Sequence, residues 1–127
     1  MNMAASRFKN GDLRSCILDR TDLRGSNFTQ ARLSGAKLRG ARFEPLLVGK
    51  DRLLKTEFTG ANLRYTDFTG ANLRDADFAG ADLSYANFSG SDLEGAGFRE
   101  SILEETKIDM GKIDVSHAII KKPNMGE

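Results

Sequence analysis

The sequence is poor in the residue types on which most catalytic and metal sites depend. Its 127 residues contain one histidine, one cysteine, two prolines and no tryptophan. A single cysteine excludes an intramolecular disulfide, and a single histidine excludes a multi-histidine zinc site. We therefore expect no catalytic, cofactor-binding or metal-binding residues, and we expect the protein not to be an enzyme.

The two remaining reactive residues have simple structural explanations. His117 lies beside Ser116 and Asp114 near the end of the chain, where a chance neighbourhood explains the trio better than a nucleophile and its base. Cys16 occupies a position that small residues fill elsewhere, and we interpret it as a buried substitute for Ala or Ser. The alternative, a reactive thiol, requires exposure and an electropositive setting.

Long apolar runs are absent as well. No stretch approaches the roughly 20 apolar residues of a transmembrane helix, and the chain does not open on a basic segment followed by an apolar run. We expect a cytoplasmic protein with no membrane partner.

What the sequence does contain is a period of five. Every fifth residue from Phe8 to Ile113 is large and apolar, and neither a helix nor a strand has this period. The residue two places earlier is usually small, the residue between them is usually polar and often Asp or Asn, and glycine often follows two places later. Residues two apart share one face of an extended segment, and glycine suits a turn with positive φ. Each unit therefore predicts one short side and one corner.

Four units carry a recognisable motif, Ala followed by Asp or Asn, then Leu or Phe, then two variable residues. They are Ala61–Tyr65, Ala71–Asp75, Ala81–Tyr85 and Ala86–Gly90. The motif resembles that of the pentapeptide-repeat family, over about residues 6–115. The resemblance implies an all-β, right-handed quadrilateral β-helix of about five to six coils. It implies no single function, because the family is a scaffold on which sites are grafted.

The repeat predicts one domain. We expect an N-terminal tail at residues 1–5, a β-helix over residues 6–120 and a mobile tail at residues 121–127. Residues 108–120 are expected to form a C-terminal cap, in which Ile119 and Ile120 cover the last coil or pair two copies end to end as a homodimer.

The pattern is irregular at residues 44–55. Leu46 and Asp51 stand where small inward residues are expected, and Pro45 removes a backbone donor from the ladder. These features favour a loop that leaves the coil, with a distorted coil as the alternative.

The two interpretations differ in how the core residues stack. An unbroken coil of about 20 residues would place Val48 between Phe28 and Phe68 in one column and Leu38 beneath Phe58 in the opposite one. A ten-residue loop would also keep the phenylalanine columns opposed, because ten residues are half a coil.

Charge is distributed unevenly. Residues 1–50 carry a formal charge of +6 and residues 51–127 of −5, within a total of +1. A candidate acidic face comprises Asp75, Asp77, Asp82, Asp92 and Glu94; ordinary solvated surface is the alternative. The basic half has no aromatic residues interleaved at outward positions to stack on bases, so we expect no sequence-specific nucleic-acid binding.

The two tyrosines, Tyr65 and Tyr85, stand one coil apart at corner positions. We expect them to stack on one outer edge, with Leu46, Leu47 and Leu54 of the irregular segment close by. Exposed aromatic residues are frequent anchors at interfaces. These five residues form the candidate partner surface, and the alternative is that they are incidental corner residues.

Together these features predict a noncatalytic scaffold for protein–protein interaction, with an unknown protein partner. Loops thrown out from the coil and acidic charge are features of the quinolone-resistance members of the family, which act on DNA gyrase. That resemblance implies an alternative function, modulation of gyrase or topoisomerase by partial DNA mimicry. A third alternative is a structural spacer.

Overall fold

The chain winds into a four-sided coil held together by parallel β-bridges. The structure is a computed structural model and describes residues 1–121. We number the four sides in chain order by their first outward-facing bridge residue: face 1 begins at Asn2, face 2 at Arg7, face 3 at Asp12 and face 4 at Ile17. The corner between two faces takes both numbers, so that corner 1–2 joins faces 1 and 2.

Each side repeats the same hydrogen bonds. The Phe58 N–H donates to the Asp77 carbonyl of the next coil (2.7 Å), and the Ala61 N–H closes the corner by donating to the Phe58 carbonyl (3.0 Å). The residue before Ala61, Gly60, has a φ of +65°. Non-glycine residues at equivalent corners adopt the same conformation, which explains why the period continues through corners that lack glycine.

Where a unit has an outward Asp or Asn, that side chain supports the corner. The Asn72 side-chain oxygen accepts a hydrogen bond from the Arg74 N–H (3.2 Å), and the Asp77 carboxylate accepts one from the Ala79 N–H (2.9 Å). Such bonds form a local turn that mimics a backbone turn. These residues therefore contribute to the fold as well as facing water.

The core consists of stacked rings. On face 2, Phe28 stacks on Phe58 and Phe58 on Phe78, with ring centroids 4.9 and 5.0 Å apart. Phe68 and Phe88 stack in the same way on face 4 (5.0 Å), and Phe58 meets Phe68 edge to face across the interior at 5.8 Å. The phenylalanine columns are thus opposed.

The irregular segment leaves the coil as a β-hairpin. Strand β1 (Leu46–Val48) pairs antiparallel with β2 (Arg52–Leu54). Bridge partners are 20 residues apart up to Asp22 and Arg42, but Asn27 pairs with Glu57. The columns counted without interruption are therefore wrong: the hairpin removes Val48 from the core, and Phe58 stacks on Phe28 rather than on Leu38.

The final coil is shorter than the others. Strand β3 (Ile102–Glu104) pairs in parallel with β4 (Ile119–Lys121), and a 3₁₀ helix (Met110–Lys112) lies between them. β4 thus continues face 3 by one rung. Lys121 belongs to this strand rather than to the expected tail, and the rest of that tail, 122–127, lies outside the described residues.

At the other end, the expected tail at residues 1–5 is part of the first coil. Asn2 bridges to Asp22, and Met3 packs against the core. The signal was in the sequence, because Met3 precedes Phe8 by one period. Among residues 1–121, no helix is long and apolar enough to cross a membrane.

Candidate interaction surface

Tyr65 and Tyr85 form a stacked pair on the outside of corner 3–4. Their ring centroids lie 4.8 Å apart and the ring planes are 6° from parallel. The ladder places them on successive rungs, since Tyr65 donates its N–H to Ser84 and Tyr85 donates its N–H to Glu104. The side chains remain accessible, with exposed fractions of 59% for Tyr65 and 38% for Tyr85.

Both tyrosines occupy strained backbone positions. Their φ angles are +59° and +63°, a region that costs a residue with a side chain roughly 1–2 kcal/mol. The same corner one coil below Tyr65 is filled by Gly35, with a φ of +71°. The fold therefore does not require an aromatic residue at this corner.

Arg64 extends the aromatic pair. Its guanidinium carbon lies 5.9 Å from the Tyr65 ring centroid and 5.5 Å from that of Tyr85, within reach of a cation–π interaction. Asp82 holds it there through an ion pair of 3.3 Å. The pattern of five did not single out Arg64, because its position in the unit is variable; its place next to Tyr65 was the available signal.

The environment of Asp82 keeps it charged. Burial raises the pKa of its carboxyl group, but hydrogen bonds from the Ser84 hydroxyl and N–H and the pairing with Arg64 outweigh that effect and lower the pKa. The hydrogen bond to Asp82 in turn raises the pKa of Arg64. The edge formed by Arg64, Tyr65 and Tyr85 therefore combines two rings with an arginine whose charge is already balanced.

The structure separates the predicted leucines from the tyrosines. Leu46 and Leu54 pack at corner 1–2, where a Cβ added to Gly25 would lie 3.0 Å and 3.2 Å from their Cβ atoms. Leu47 faces solvent with 61% exposure. Corner 1–2 is diagonally opposite corner 3–4 on the four-sided coil. An uninterrupted count would put Tyr65 at corner 1–2, but the hairpin adds ten residues, the length of two sides, and so Tyr65 lies at corner 3–4. The five residues of the candidate partner surface therefore lie at two sites.

The acidic residues are also divided. Asp92 and Glu94 lie on face 1 and Asp75 on corner 1–2, while Asp77 lies on face 2 and Asp82 on face 3, opposite face 1. Arg74 pairs with Asp92 (3.3 Å) and with Glu94 (2.7 Å). The structure thus does not gather the five into one acidic face, and three of them are paired with arginine.

Cys16 is half-buried, and burial raises the pKa of its thiol, which disfavours the reactive thiolate. In the part of the chain that the structure describes, no group of three or more His, Cys, Asp or Glu side chains could hold a metal ion.

The coils, ladders and corners define a β-solenoid built from five-residue units. A family model described as pentapeptide repeats matches eight copies over residues 6–44 and 56–95. The chain therefore belongs to the pentapeptide-repeat family, and its fold is the right-handed quadrilateral β-helix predicted from the sequence. The gap between the two matched ranges coincides with the hairpin.

Solved structures of other pentapeptide repeat proteins are similar. HetL, involved in heterocyst differentiation regulation in the cyanobacterium Nostoc sp. strain PCC 7120, is 26% identical with a TM-score of 0.53, over 80% of this chain and 48% of HetL. QnrB1, a plasmid-mediated fluoroquinolone resistance protein, is 22% identical with a TM-score of 0.59, over 97% of this chain and 68% of QnrB1. The chain thus spans about half of HetL. No curated protein matches the sequence.

Proposed function

We propose that this protein is a noncatalytic cytoplasmic scaffold that binds another protein through the edge formed by Arg64, Tyr65 and Tyr85. The observation that carries the proposal is the exposed, stacked tyrosine pair at a corner where the fold accepts glycine. Two rigid rings present a large contact area at low cost in side-chain entropy, and tyrosine and arginine are enriched at binding hot spots.

The test replaces both tyrosines by glycine. Tyr65→Gly together with Tyr85→Gly loses ring stacking worth about 0.5–1.5 kcal/mol but relieves the positive-φ strain at each corner, so the melting temperature should change little. Affinity capture from the native cell should lose the partner. In a purified pair the binding free energy should weaken by roughly 2 kcal/mol or more.

A matched control changes the backbone in the same way at the neighbouring corner 2–3. Asn10 and Gln30 also stack one coil apart at φ values of +62° and +59°. Asn10→Gly together with Gln30→Gly should leave capture intact. Equal capture by wild type and the tyrosine variant would dispose of this edge as the binding surface, and absence of any captured protein would favour the structural spacer.

A second candidate function is modulation of DNA gyrase or topoisomerase by partial DNA mimicry. It is supported by the hairpin projecting from the coil and by the −5 charge of residues 51–127; the dispersal of the acidic residues over several faces weighs against it. If it holds, the purified protein should alter gyrase supercoiling in a salt-sensitive manner. No effect at large molar excess across low and moderate salt would retire it.

Homodimerisation through the C-terminal cap stays part of the proposal. Ile119 and Ile120 are 47% and 45% exposed, so a second copy has apolar surface to cover. Sedimentation of wild type against Ile119→Ser together with Ile120→Ser tests this pairing independently of the tyrosine edge.

A further inference from the structure

A recess lies beside the hairpin, diagonally opposite the tyrosine edge. It has a volume of about 650 Å³, and its lining includes β2 with the following residue Lys55 and, from the first coil of face 2, Ser6, Arg7 and Lys9. No residue of β1 lines it. The recess therefore follows the outer edge of β2.

That edge has no neighbouring strand. β1 and β2 form a two-stranded sheet, so within residues 1–121 the backbone groups on the far side of β2 have no strand partner. An unpaired edge of this kind is a template for an additional strand. Extended peptides bind many proteins by this pairing, in which main-chain hydrogen bonds supply affinity and alternate side chains supply specificity.

The charges around the recess are one-sided. Arg7 and Lys9 stand on the coil, Arg52 and Lys55 stand on the hairpin, and Glu57 is the one acidic residue among those that line the recess. Among the described residues, none of these four cations forms an ion pair. By contrast, the arginines of the neighbouring face 1, such as Arg24 and Arg74, are paired with carboxylates. The recess thus has unbalanced positive charge for an acidic ligand.

Apolar surface accompanies the charge. Leu53 is 62% exposed and lies directly across the hairpin from Leu47, which is 61% exposed. Side chains alternate between the two faces of a strand. Arg52 and Leu54 lie on one face of β2 and Leu53 on the other, so a segment paired with β2 that alternates acidic and apolar residues places its acidic set beside Arg52 and its apolar set beside Leu53.

From the free edge, the four cations and the exposed leucine, we propose that this recess binds an extended acidic segment of a partner protein, which pairs with β2 as a third strand. Two of the cations line the recess from the coil and two from the hairpin, which favours a strand held between these two elements over a flat lipid surface. The site is independent of the tyrosine edge, so either can fail without the other.

The probe is a labelled eight-residue peptide of alternating glutamate and valine, measured by fluorescence anisotropy. The wild-type protein should bind it, and binding should weaken with added salt. Arg52→Glu together with Lys55→Glu should weaken binding at least about tenfold. Both side chains are exposed, so the fold should survive. A matched control, Arg32→Glu together with Lys37→Glu, changes exposed cations on faces 3 and 4 and should leave binding unchanged.

Strand pairing is tested separately from charge. The same peptide, N-methylated at alternate residues in each of the two registers, keeps its carboxylates but loses the backbone donors on one side. One of the two methylated peptides should bind at least about tenfold more weakly than the parent, because its lost donors are those that face β2. Equal binding of all three peptides would overturn the strand pairing.

Three further outcomes would overturn the proposal. They are an equal loss of peptide binding in the Arg52→Glu, Lys55→Glu variant and in the Arg32→Glu, Lys37→Glu control, stronger binding to phosphatidylserine vesicles than to the peptide, and stronger binding to an oligonucleotide than to the peptide. The vesicle result would assign the recess to a lipid surface, and the oligonucleotide result would assign it to nucleic acid.

Discussion

Two stacks of aromatic rings in this molecule share one geometry and differ in their exposure to solvent. Phe58 and Phe78 stack inside face 2 at 5.0 Å, and Tyr65 and Tyr85 stack outside corner 3–4 at 4.8 Å. The ladder of backbone bonds sets the spacing in both places. Phe58 and Phe78 are fully buried, whereas Tyr65 is 59% exposed. The rings inside the coil therefore maintain the fold, whereas the side chain outside corner 3–4 is free to vary.

The largest effect should come from opening the inner stack. Phe58 contacts the rings of Phe28, Phe43, Phe68 and Phe78. Phe58→Ala should lower the free energy of unfolding by about 3–5 kcal/mol, because the paired coils cannot collapse into the cavity. Urea titrations followed by circular dichroism measure this.

The outer stack supplies the matched control. Tyr85→Ala keeps a side chain at a positive φ and removes only the ring contact, which is worth about 0.5–1.5 kcal/mol. If the two alanine variants lose equal stability, the distinction between interior and corner is broken.

Alanine substitutions at two glycine corners should cause losses of stability of intermediate size that differ between the corners. Gly25 and Gly70 have φ values of +65° and +68°, but an added Cβ at Gly25 would lie 3.0 Å from the Leu54 carbonyl oxygen and from the Leu46 Cβ, whereas at Gly70 it would meet nothing within 4 Å. Gly70→Ala should cost about 1–2 kcal/mol from the backbone alone. Gly25→Ala should cost about 1–3 kcal/mol more, because the hairpin must shift. Equal costs in denaturant titrations would mean that the hairpin undocks freely.

The smallest effect on stability should appear at low pH, where an ion pair on the outside of face 3 is lost. The hydrogen bonds from the Arg14 side chain and N–H lower the pKa of Asp12 to about 2. Because this pKa is lower in the folded chain than in the unfolded one, the stabilisation is present above about pH 4 and is lost as the pH falls towards about 2.

The acid effect is measured against Asp12→Asn. The melting temperature of wild type should fall more steeply between about pH 4 and pH 2 than that of the variant, since the variant has no carboxylate to protonate at this site. The difference should be small because the pair is exposed. Parallel curves would contradict a contribution from this ion pair.

The period of five predicted the short sides and corners of the coil because each position in the unit has one physical requirement, and the family resemblance implied the right-handed four-sided helix. An inward Phe or Leu fills the core, a small residue makes room for it, and Asp or Asn with a corner residue turns the chain. These requirements are local, so the sequence contained them all.

The arrangement of surface sites could not be predicted in the same way. A hairpin of ten residues and half a coil both leave the count of five unchanged, so the sequence alone could not place Leu46 relative to Tyr65. Arg64 was missed because its approach to two rings depends on which coils are neighbours. The period thus predicts which residues are buried but leaves open which exposed residues meet.

The hairpin leaves and re-enters the coil at the same corner. Glu44 ends face 1 before it, and Thr56 opens face 2 after it by accepting a hydrogen bond from the Gly25 N–H at 2.9 Å. The ladder of backbone hydrogen bonds therefore does not depend on the number of residues between Glu44 and Thr56. Five residues added within a coil would move every later residue to the next face of the coil, whereas residues added within the hairpin would leave every later residue on its present face. Over evolutionary time, this corner is a place where new recognition elements can be inserted and exchanged while the rest of the protein is inherited unchanged.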